Sequence, residues 1–194
     1  TVLTNPIAEE VLENNIGYLE VSSFDQGTAD EFKKKFEDLQ TKGITSLIID
    51  LRNNGGGLVS EALGIADYIA QKGETLLITV DKDNKEEITK SKKDPIVNMP
   101  VVILVNENSA SASEILSGAL KELNKATIVG TKTYGKGVIQ QIVTLTDGSG
   151  LKLTIEEYFT PNKNKINNVG IEPNEVIELP ESVENVLFLE REDD

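Results

Sequence analysis

The sequence predicts an α/β fold in one domain, with strands and helices alternating along the chain. Two apolar runs rich in Ile and Val, at 46–51 and 101–106, suit strands buried on both faces of a sheet. Each run is followed by a loop of small or polar residues and then by apolar residues at helical spacing. Asp147-Gly148-Ser149-Gly150 joins two further strand candidates as a hairpin signal. This alternation favours a sheet with much parallel pairing.

The first strand is predicted at 16–24, and the first helix follows it. Thr28-x-x-Glu31 is a capping-box pattern, which predicts where that helix begins. Three apolar side chains then recur at spacings of four and three, as expected for one buried helix face: Phe32, Phe36 and Leu39. Gly43 indicates the end of the helix.

The rest of the chain continues the alternation. After the strand at 46–51 comes Gly55-Gly56-Gly57, and then a predicted helix over 59–71. That helix carries an apolar stripe of four side chains: Leu63, Ala66, Ile69 and Ala70. The remaining predicted elements are strands at 75–80, 101–106, 127–130, 138–145 and 151–159, a helix at 112–125, and a polar surface hairpin or lid at 81–93.

Composition excludes several classes of function. The chain of 194 residues has 19 basic and 33 acidic side chains, giving a net charge of -14, which disfavours nucleic-acid and anionic-membrane partners. It has no run of about 18 apolar residues that would predict a membrane span. It has no His and no Cys, so a Ser-His-Asp triad, thiol catalysis, disulfides and the usual zinc sites are excluded.

Without histidine, a lysine is the best remaining base for a serine nucleophile, and Ser-Lys pairs are a known variant of triad chemistry. Ser111 lies where the strand at 101–106 gives way to a helix, whose free amides and positive dipole end would stabilise an oxyanion. Helix capping is the competing interpretation, because Ser is a preferred N-cap residue. That interpretation applies equally to Ser109, Ser111 and Ser113.

Lys136 has two competing interpretations of its own. Gly130-x-x-x-x-Gly135-Lys136 follows a strand and matches most of a phosphate-binding P-loop. However, Gly137 lacks the hydroxyl that would bind Mg²⁺, and the residues that follow favour a strand rather than the required helix. An exposed turn lysine is the other alternative. Gln140 would share a strand face with Lys136 and could hold its amine, or it could be an ordinary exposed glutamine.

The glycines at 55–57 follow a strand predicted to be buried, at the edge of the sheet where α/β proteins bind ligands. Their amides could approach a developing anion, or the segment could be a flexible turn.

Several motifs in order resemble those of one family. They are Asp50-Leu51-Arg52-Asn53-Asn54-Gly55-Gly56-Gly57-Leu58, Ser109-Ala110-Ser111-Ala112-Ser113-Glu114, Gly130-x-x-Thr133-Tyr134-Gly135-Lys136-Gly137, Gln140, Thr160-Pro161 and Gly170-Ile171-x-Pro173. Together they resemble the C-terminal processing proteases, also called tail-specific proteases, over about residues 17–173. A set of motifs at family spacing is far more specific than any one of them.

The resemblance implies a crotonase/Clp-protease-like spiral of strand-strand-helix units that cleaves protein substrates near their C-termini. In this family pattern Ser111 is the nucleophile, Lys136 its general base and Gln140 a support for the lysine. The amide of Ala112, with that of Gly56 or Gly57, would form the oxyanion hole. A lysine must be neutral to accept a proton, so Lys136 is expected to be desolvated when the active loop closes. No metal or organic cofactor is implied.

The resemblance also implies a domain organisation. Residues 1–15 are expected to be a lead-in that follows a PDZ domain, 16–180 the catalytic core, and 181–194 an acidic C-terminal segment. Because residue 1 is Thr, the chain is expected to be processed or part of a longer protein. Family members commonly use the PDZ domain to recognise substrate C-termini, and most bacterial members act outside the cytoplasm.

Three other functions remain as alternatives. The first is an inactive relative that binds peptides or acts as a scaffold. The second is an acyl-CoA-binding enzyme of the same fold, which would not need Lys136. The third and weakest is a nucleotide enzyme, because the P-loop match is incomplete.

Overall fold

The protein is represented by a computed structural model that describes residues 6–144 and 149–179, apart from the side chains of residues 140–144 and 152. The described chain forms a six-stranded sheet, a four-stranded sheet and three α-helices. The larger sheet contains, in spatial order, β1 (Ile7–Leu12), β2 (Ile16–Val21), β3 (Ser46–Asp50), β6 (Val101–Val105), β7 (Thr127–Gly130) and β10 (Glu175–Val176). The smaller sheet contains β5 (Glu86–Lys90), β4 (Thr75–Asp81), β9 (Gly150–Phe159) and β8 (Val138–Thr144). The helices are α1 (Thr28–Thr41), α2 (Val59–Asp67) and α3 (Ala112–Glu122).

The two sheets differ in strand direction. In the larger sheet β2, β3, β6, β7 and β10 are parallel, and β1 is antiparallel to β2. All pairs in the smaller sheet are antiparallel. The carboxyl ends of β3 and β6 therefore meet at one sheet edge. Two loops begin there: residues 51–58, called the glycine loop, and residues 106–111, called the serine loop. The predicted α/β fold is confirmed.

Strand β1 is an element that the sequence analysis did not find. It lies within the stretch expected to be a lead-in, and it pairs with β2 along its whole length, from Ile7 opposite Val21 to Leu12 opposite Ile16. Ile7 is fully buried, whereas the other positions of β1 alternate poorly between apolar and polar residues. A strand at the edge of a sheet needs little periodicity of its own, which is why the pattern was missed.

The helix predicted from the capping box begins where expected, but the box itself is wrong. Gly27 occupies the N-cap position, and the Thr28 hydroxyl donates to the carbonyl oxygen of Asp25. The free amide of Ala29 donates instead to Glu61, which lies on α2. A carboxylate from a neighbouring helix thus satisfies the helix end that a local carboxylate was predicted to satisfy. Phe32, Phe36 and Leu39 are completely buried, as predicted.

Helices α2 and α3 are each shorter than predicted. The amides of Tyr68 and Ile69 bond three residues back, which tightens the end of α2 at Asp67. Consequently Ile69 and Ala70 are buried beyond the helix rather than on its stripe. The fully buried positions within the helix are Ala62, Ile65 and the predicted Ala66. Helix α3 ends because Asn124 adopts a left-handed conformation, with φ 54°.

Two predicted hairpins fall in the smaller sheet. Residues 81–93 contain β5, which pairs with β4 as a surface hairpin. Strands β8 and β9 also pair as predicted, although Asp147 and Gly148 lie outside the described residues. Among the described residues, no helix has the length and apolar character needed to cross a membrane.

Candidate active site

Ser111 lies in the loop between β6 and α3, at the N-cap position of the helix. Its backbone has φ 57° and ψ -114°, whereas an ordinary N-cap residue is extended. A non-glycine residue in such a conformation costs roughly 1–3 kcal/mol, and such strain concentrates at functional sites. Capping alone does not explain this backbone, and a sharp strand-to-helix turn is how hydrolases expose a nucleophilic serine.

The three serines at 109, 111 and 113 have different surroundings. The hydroxyl of Ser109 donates to the carbonyl oxygen of Leu51 over 2.7 Å, and that of Ser113 donates to Asn54 over 2.9 Å. Both side chains are completely buried. Ser111 is the one member of the three that is partly exposed, and its side chain accepts from the amide of Glu114 in the capping box of α3. Of the three hydroxyls, only that of Ser111 is therefore accessible.

Asn54 joins the glycine loop to the serine loop and to the larger sheet. Its side-chain amide donates to the carbonyl oxygen of Val21, at the end of β2. Its backbone oxygen accepts from the amide of Ala110 over 3.0 Å as well as from Ser113. The side chain is completely buried, so its hydrogen bonds are shielded from water.

A buried ion pair fixes the start of the glycine loop. Asp50 is inaccessible, and it accepts from the guanidinium of Arg52 and from the hydroxyl of Tyr18 on β2, the latter over 2.7 Å. Burial, together with the hydrogen bond to Asp50, raises the pKa of Tyr18 above its usual range. The loop therefore leaves the sheet at Asp50, whose side chain is held by an ion pair and a hydrogen bond.

The glycine loop approaches Ser111 closely at Gly56. A Cβ added there would lie 2.8 Å from the carbonyl oxygen of Ala110 and 2.8 Å from Cβ of Ser111, and φ is 105°. A Cβ on Gly57 would instead collide with the backbone of Phe24 at 2.4 Å. Only glycine fits at either position, which explains the motif in physical terms.

The amides of the two glycines are used differently. The amide of Gly56 donates to Oδ1 of Asn54 over 2.8 Å. Gly57 forms a parallel β-bridge with Phe24. The hydrogen bonds of that bridge join Phe24 to Gly56 and Leu58, so the amide of Gly57 points away from Phe24. Within the described residues, neither the amide of Gly57 nor that of Ala112 donates a hydrogen bond. The latter belongs to the first turn of α3, which has no intrahelical acceptor.

Glu114 connects the serine loop to residues 131–137, which lie between β7 and β8 and are called the lysine loop. Its Oε1 accepts from the Thr133 hydroxyl and the Gly135 amide, each over 2.7 Å. Its Oε2 accepts from the amides of Ser111 over 2.9 Å and Lys136 over 2.8 Å. The side chain is completely buried, and an ionised carboxylate, which only accepts, suits four donors. This residue brings the backbones of Ser111 and Lys136 together.

The lysine loop is held from its other side by residues 166–171. The Thr133 hydroxyl accepts from the amide of Ile171 over 2.7 Å while it donates to Glu114. A Cβ on Gly137 would lie 2.3 Å from the amide nitrogen of Asn167, so the two segments touch backbone to backbone. The loop is thus fixed between α3 and a later segment.

Lys136 is partly buried and lies just before β8, which begins at Val138. The loop leads into a strand and not into a helix, as the sequence predicted, and this argues against a P-loop. Gln140 lies within β8 next to a register shift between Ile139 and Gln140, and its side chain is outside the described part. Because Lys136 is not in the strand and the register shifts, the same-face argument for this pair does not apply.

Tyr158 lies on β9 beneath the lysine loop. Its hydroxyl donates to the carbonyl oxygen of Lys136. Burial raises the pKa of Tyr158 to about 12; the Ser111 side chain opposes this change and the charge of Glu114 reinforces it.

Sequence reasoning missed the site roles of Asn54, Glu114, Thr133 and Tyr158. One signal was available: Ser111-x-x-Glu114 is itself a capping-box pattern, and the structure forms that box. No pattern along the chain signals that Tyr158 reaches the backbone of Lys136. Within the described residues, no group of three or more acidic side chains is arranged to hold a metal ion.

Comparison with known families and sequences gives consistent matches. The profile of the family described as "Peptidase family S41" matches residues 15–177. The "Carboxyl-terminal-processing protease" of Picosynechococcus sp. is 38% identical over 180 residues, covering 91% of this chain and 43% of that protein. The "Carboxy-terminal processing protease CtpA" of Bacillus subtilis is 35% identical over 181 residues, covering 93% of this chain and 39% of that protein. The chain thus spans about two-fifths of the length of these curated relatives.

Solved structures match in fold as well. The "Photosystem II D1 C-terminal processing protease" superposes with a TM-score of 0.83 at 33% identity, covering 95% of this chain and 52% of that one. A putative S41 protease from Bacteroides fragilis superposes with a TM-score of 0.78 at 21% identity, covering 92% and 52%, which supports the fold alone. The predicted Clp-protease-like fold and the resemblance to C-terminal processing proteases are both confirmed.

Proposed function

The chain belongs to peptidase family S41, and from that premise we propose that it is a serine endopeptidase that cleaves protein substrates near their C-termini. Ser111 is the nucleophile and Lys136 the general base. The observation that carries the proposal is the pair of hydrogen bonds from the Ser111 and Lys136 amides to one buried oxygen of Glu114. Nucleophile and base need a fixed mutual geometry, and this carboxylate supplies it.

The proposed reaction proceeds through an acyl-enzyme. Oγ of Ser111 bonds to the scissile carbonyl carbon as its proton passes to the neutral amine of Lys136, and the carbonyl π electrons move onto oxygen. When the tetrahedral intermediate collapses, the C–N bond breaks and the lysine returns the proton to the leaving amine. Water then attacks the carbonyl carbon of the acyl-enzyme as it gives a proton to Lys136. The ester C–O bond to Ser111 breaks, Lys136 returns the proton to Oγ, and the product leaves with its new C-terminal carboxyl group.

The oxyanion hole is assigned to the amides of Gly57 and Ala112. Both are free of other acceptors in the described chain, whereas the amide of Gly56 is already bound to Asn54. Donors that are fixed before reaction stabilise developing charge without reorganising. Gly56 contributes by lacking a side chain, which leaves the backbone space beside Ser111. Gln140 is assigned to supporting the lysine by family resemblance.

Partners and location follow from the family. Substrates are proteins or peptides with accessible C-termini, and the greater length of the curated relatives suggests that a PDZ domain accompanies this core. We place the activity outside the cytoplasm, as in most bacterial members. The proposed chemistry needs no metal or organic cofactor.

The test is cleavage of a loosely folded protein with an apolar C-terminus, followed by mass spectrometry. Wild type is compared with Ser111→Ala and, as a matched control, with Ser60→Ala on the exposed start of α2. Each is assayed in this chain and in a longer form that carries any PDZ domain. We expect cleavage by wild type and Ser60→Ala alone. Cleavage that survives Ser111→Ala would overturn the assignment.

A further inference from the structure

Tyr158 is a buried polar group that the proposed reaction does not use. It is 1% exposed and lies in the smaller apolar cluster with Leu77, Ile115, Ile166 and Ile171. A tyrosine ring fills such a site as a phenylalanine would, but its hydroxyl must find partners when it is buried. The partner it finds lies in the lysine loop of the candidate active site.

Two hydrogen bonds tie Tyr158 to the lysine loop. Its backbone amide donates to the carbonyl oxygen of Gly137 over 3.0 Å. Its hydroxyl donates to the carbonyl oxygen of Lys136. The main-chain and side-chain groups of one residue therefore hold consecutive carbonyls of the loop, which fixes both the position and the direction of the backbone at Lys136.

The loop that Tyr158 holds is also joined to Ser111. The amides of Lys136 and Ser111 both donate to one oxygen of Glu114, over 2.8 Å and 2.9 Å. Tyr158 therefore fixes one end of a hydrogen-bonded path that runs from the carbonyl of Lys136 to the backbone of Ser111. Burial raises the pKa of Tyr158 to about 12, so the phenol stays neutral near pH 7 and keeps its proton for the carbonyl.

We propose that Tyr158 is a positioning residue for Lys136, acting through its backbone amide and its hydroxyl on two consecutive carbonyls of the lysine loop. The inference rests on the proposed function. During attack the proton of Ser111 transfers to the amine of Lys136 as Oγ bonds to carbon. Tyr158 keeps its own proton throughout and holds the lysine backbone in the position from which that transfer starts.

The test is Tyr158→Phe, which removes one oxygen and keeps the ring in its apolar cluster. We expect kcat to fall about tenfold, the effect of losing one positioning hydrogen bond, with KM unchanged within about twofold. A purely structural role would lower the fraction of titratable serine and leave kcat per titrated serine unchanged.

Two matched tyrosines serve as controls. Tyr68→Phe removes the hydroxyl of another buried tyrosine, which packs in the larger apolar cluster. Tyr134→Phe removes a hydroxyl that is 69% exposed and two residues from Lys136. Both should keep the wild-type kcat. Rates are expressed per serine titrated with a fluorophosphonate, so that misfolded molecules do not count.

The assay is run on the longest natural form, alongside Ser111→Ala. If Ser111→Ala still cleaves, the proposed function fails. If Ser111→Ala is inactive but Tyr158→Phe keeps the wild-type kcat, only the inference about Tyr158 fails. A fall of kcat in Tyr68→Phe equal to that in Tyr158→Phe would also overturn it, because the fall would then report the general loss of a buried hydroxyl.

Discussion

The proposed nucleophile and the proposed base come from two regions that are packed differently. The serine and glycine loops follow strands of the larger sheet, over an apolar cluster that includes α1, α2 and most of the buried side chains. The lysine loop leads into the smaller sheet, over a cluster with five fully enclosed members. Hydrophobic stabilisation scales with the apolar area removed from water, so packing holds the lysine side less firmly.

Hydrogen bonds compensate for the weaker packing around the lysine loop. Thr133, the amides of Gly135 and Lys136, and the carbonyls of Lys136 and Gly137 are all bound by Glu114 or Tyr158. Local opening depends on local packing, so the lysine loop should loosen before the serine loop does. Activity should therefore be lost under conditions that leave the larger sheet folded. The four predictions below test this contrast, from the largest expected effect to the smallest.

Glu114→Gln should break the connection between the regions. Each carboxylate oxygen accepts two hydrogen bonds, so the amide nitrogen of glutamine would face two donors in either orientation. We expect a loss of kcat of at least about 100-fold, since small displacements of reacting groups cost that much. The free energy of unfolding should fall by roughly 2–4 kcal/mol.

Glu122→Gln is the matched control for that change. Glu122 is also on α3 and also accepts several hydrogen bonds, from Thr160, Asn162 and Asn164, but it lies away from the site and is partly exposed. Its substitution should leave kcat within about twofold of wild type. Equal losses in both variants would contradict a special role for Glu114.

Gly56→Ala should damage the serine side without touching the lysine loop. The added Cβ would lie 2.8 Å from Ala110 and Ser111 and would sit on a residue with φ 105°. We expect a stability loss of about 2 kcal/mol or more and at least a tenfold loss of activity. Gly55→Ala is the control, because no atom lies within 4 Å of its added Cβ. Thermal unfolding and peptide cleavage measure both effects, and equal behaviour of the two variants would refute the close approach.

Thr133→Val should affect the lysine side alone. The change removes a donor to Glu114 and an acceptor for the amide of Ile171, with little change in shape. We expect kcat to fall several-fold and the unfolding free energy to fall by about 1–3 kcal/mol. Thr131→Val, which removes a surface bond to Glu107, is the control. Hydrogen exchange should show faster opening of residues 133–137 only in Thr133→Val; the same opening in both would contradict the assignment.

Asp67→Asn should alter the stability of the larger region without altering catalysis. Burial of Asp67 works to raise its pKa, but hydrogen bonds from the Ser91 hydroxyl and the amides of Lys92 and Lys93 outweigh it and hold the pKa below the usual 3.8. A carboxyl group whose pKa is lower in the folded than in the unfolded protein stabilises the fold at pH values above its unfolded pKa. That stabilisation is lost as the pH falls through the folded pKa. The Tm difference from wild type should therefore be constant above about pH 5 and narrow below 3.8. A difference that stayed constant down to about pH 2 would contradict this.

More of the larger sheet than of the smaller sheet could be predicted from the sequence. Buried parallel strands such as β3 and β6 are continuous apolar runs, so periodicity alone locates them and the loops that follow. The positions of Ser111 and Gly57 at one sheet edge follow from that topology. Strand β1 escaped detection because an edge strand needs only one good neighbour, and β2 provides it.

The lysine side depended on contacts that no local pattern encodes. Glu114 reaches Thr133, and Tyr158 reaches Lys136, only after the smaller sheet has folded against α3. Chain separation of about 20 residues carries no periodic signal, so these partners emerge from tertiary structure alone. The same applies to the capping of α1 by Glu61, which replaced the predicted local box.

The hydrogen bond from the Ile171 amide to the Thr133 hydroxyl has a consequence for protein synthesis. Ribosomes make chains from the N-terminus at roughly 5–20 residues per second, so Ser111 emerges several seconds before Ile171. Until the later segment arrives, Thr133 lacks the partner that orients its hydroxyl toward Glu114. The ribosome-bound chain therefore carries Ser111 and Lys136 before all the contacts that align their loops can form. The order of residues along the chain delays assembly of the site until translation of the domain is almost finished.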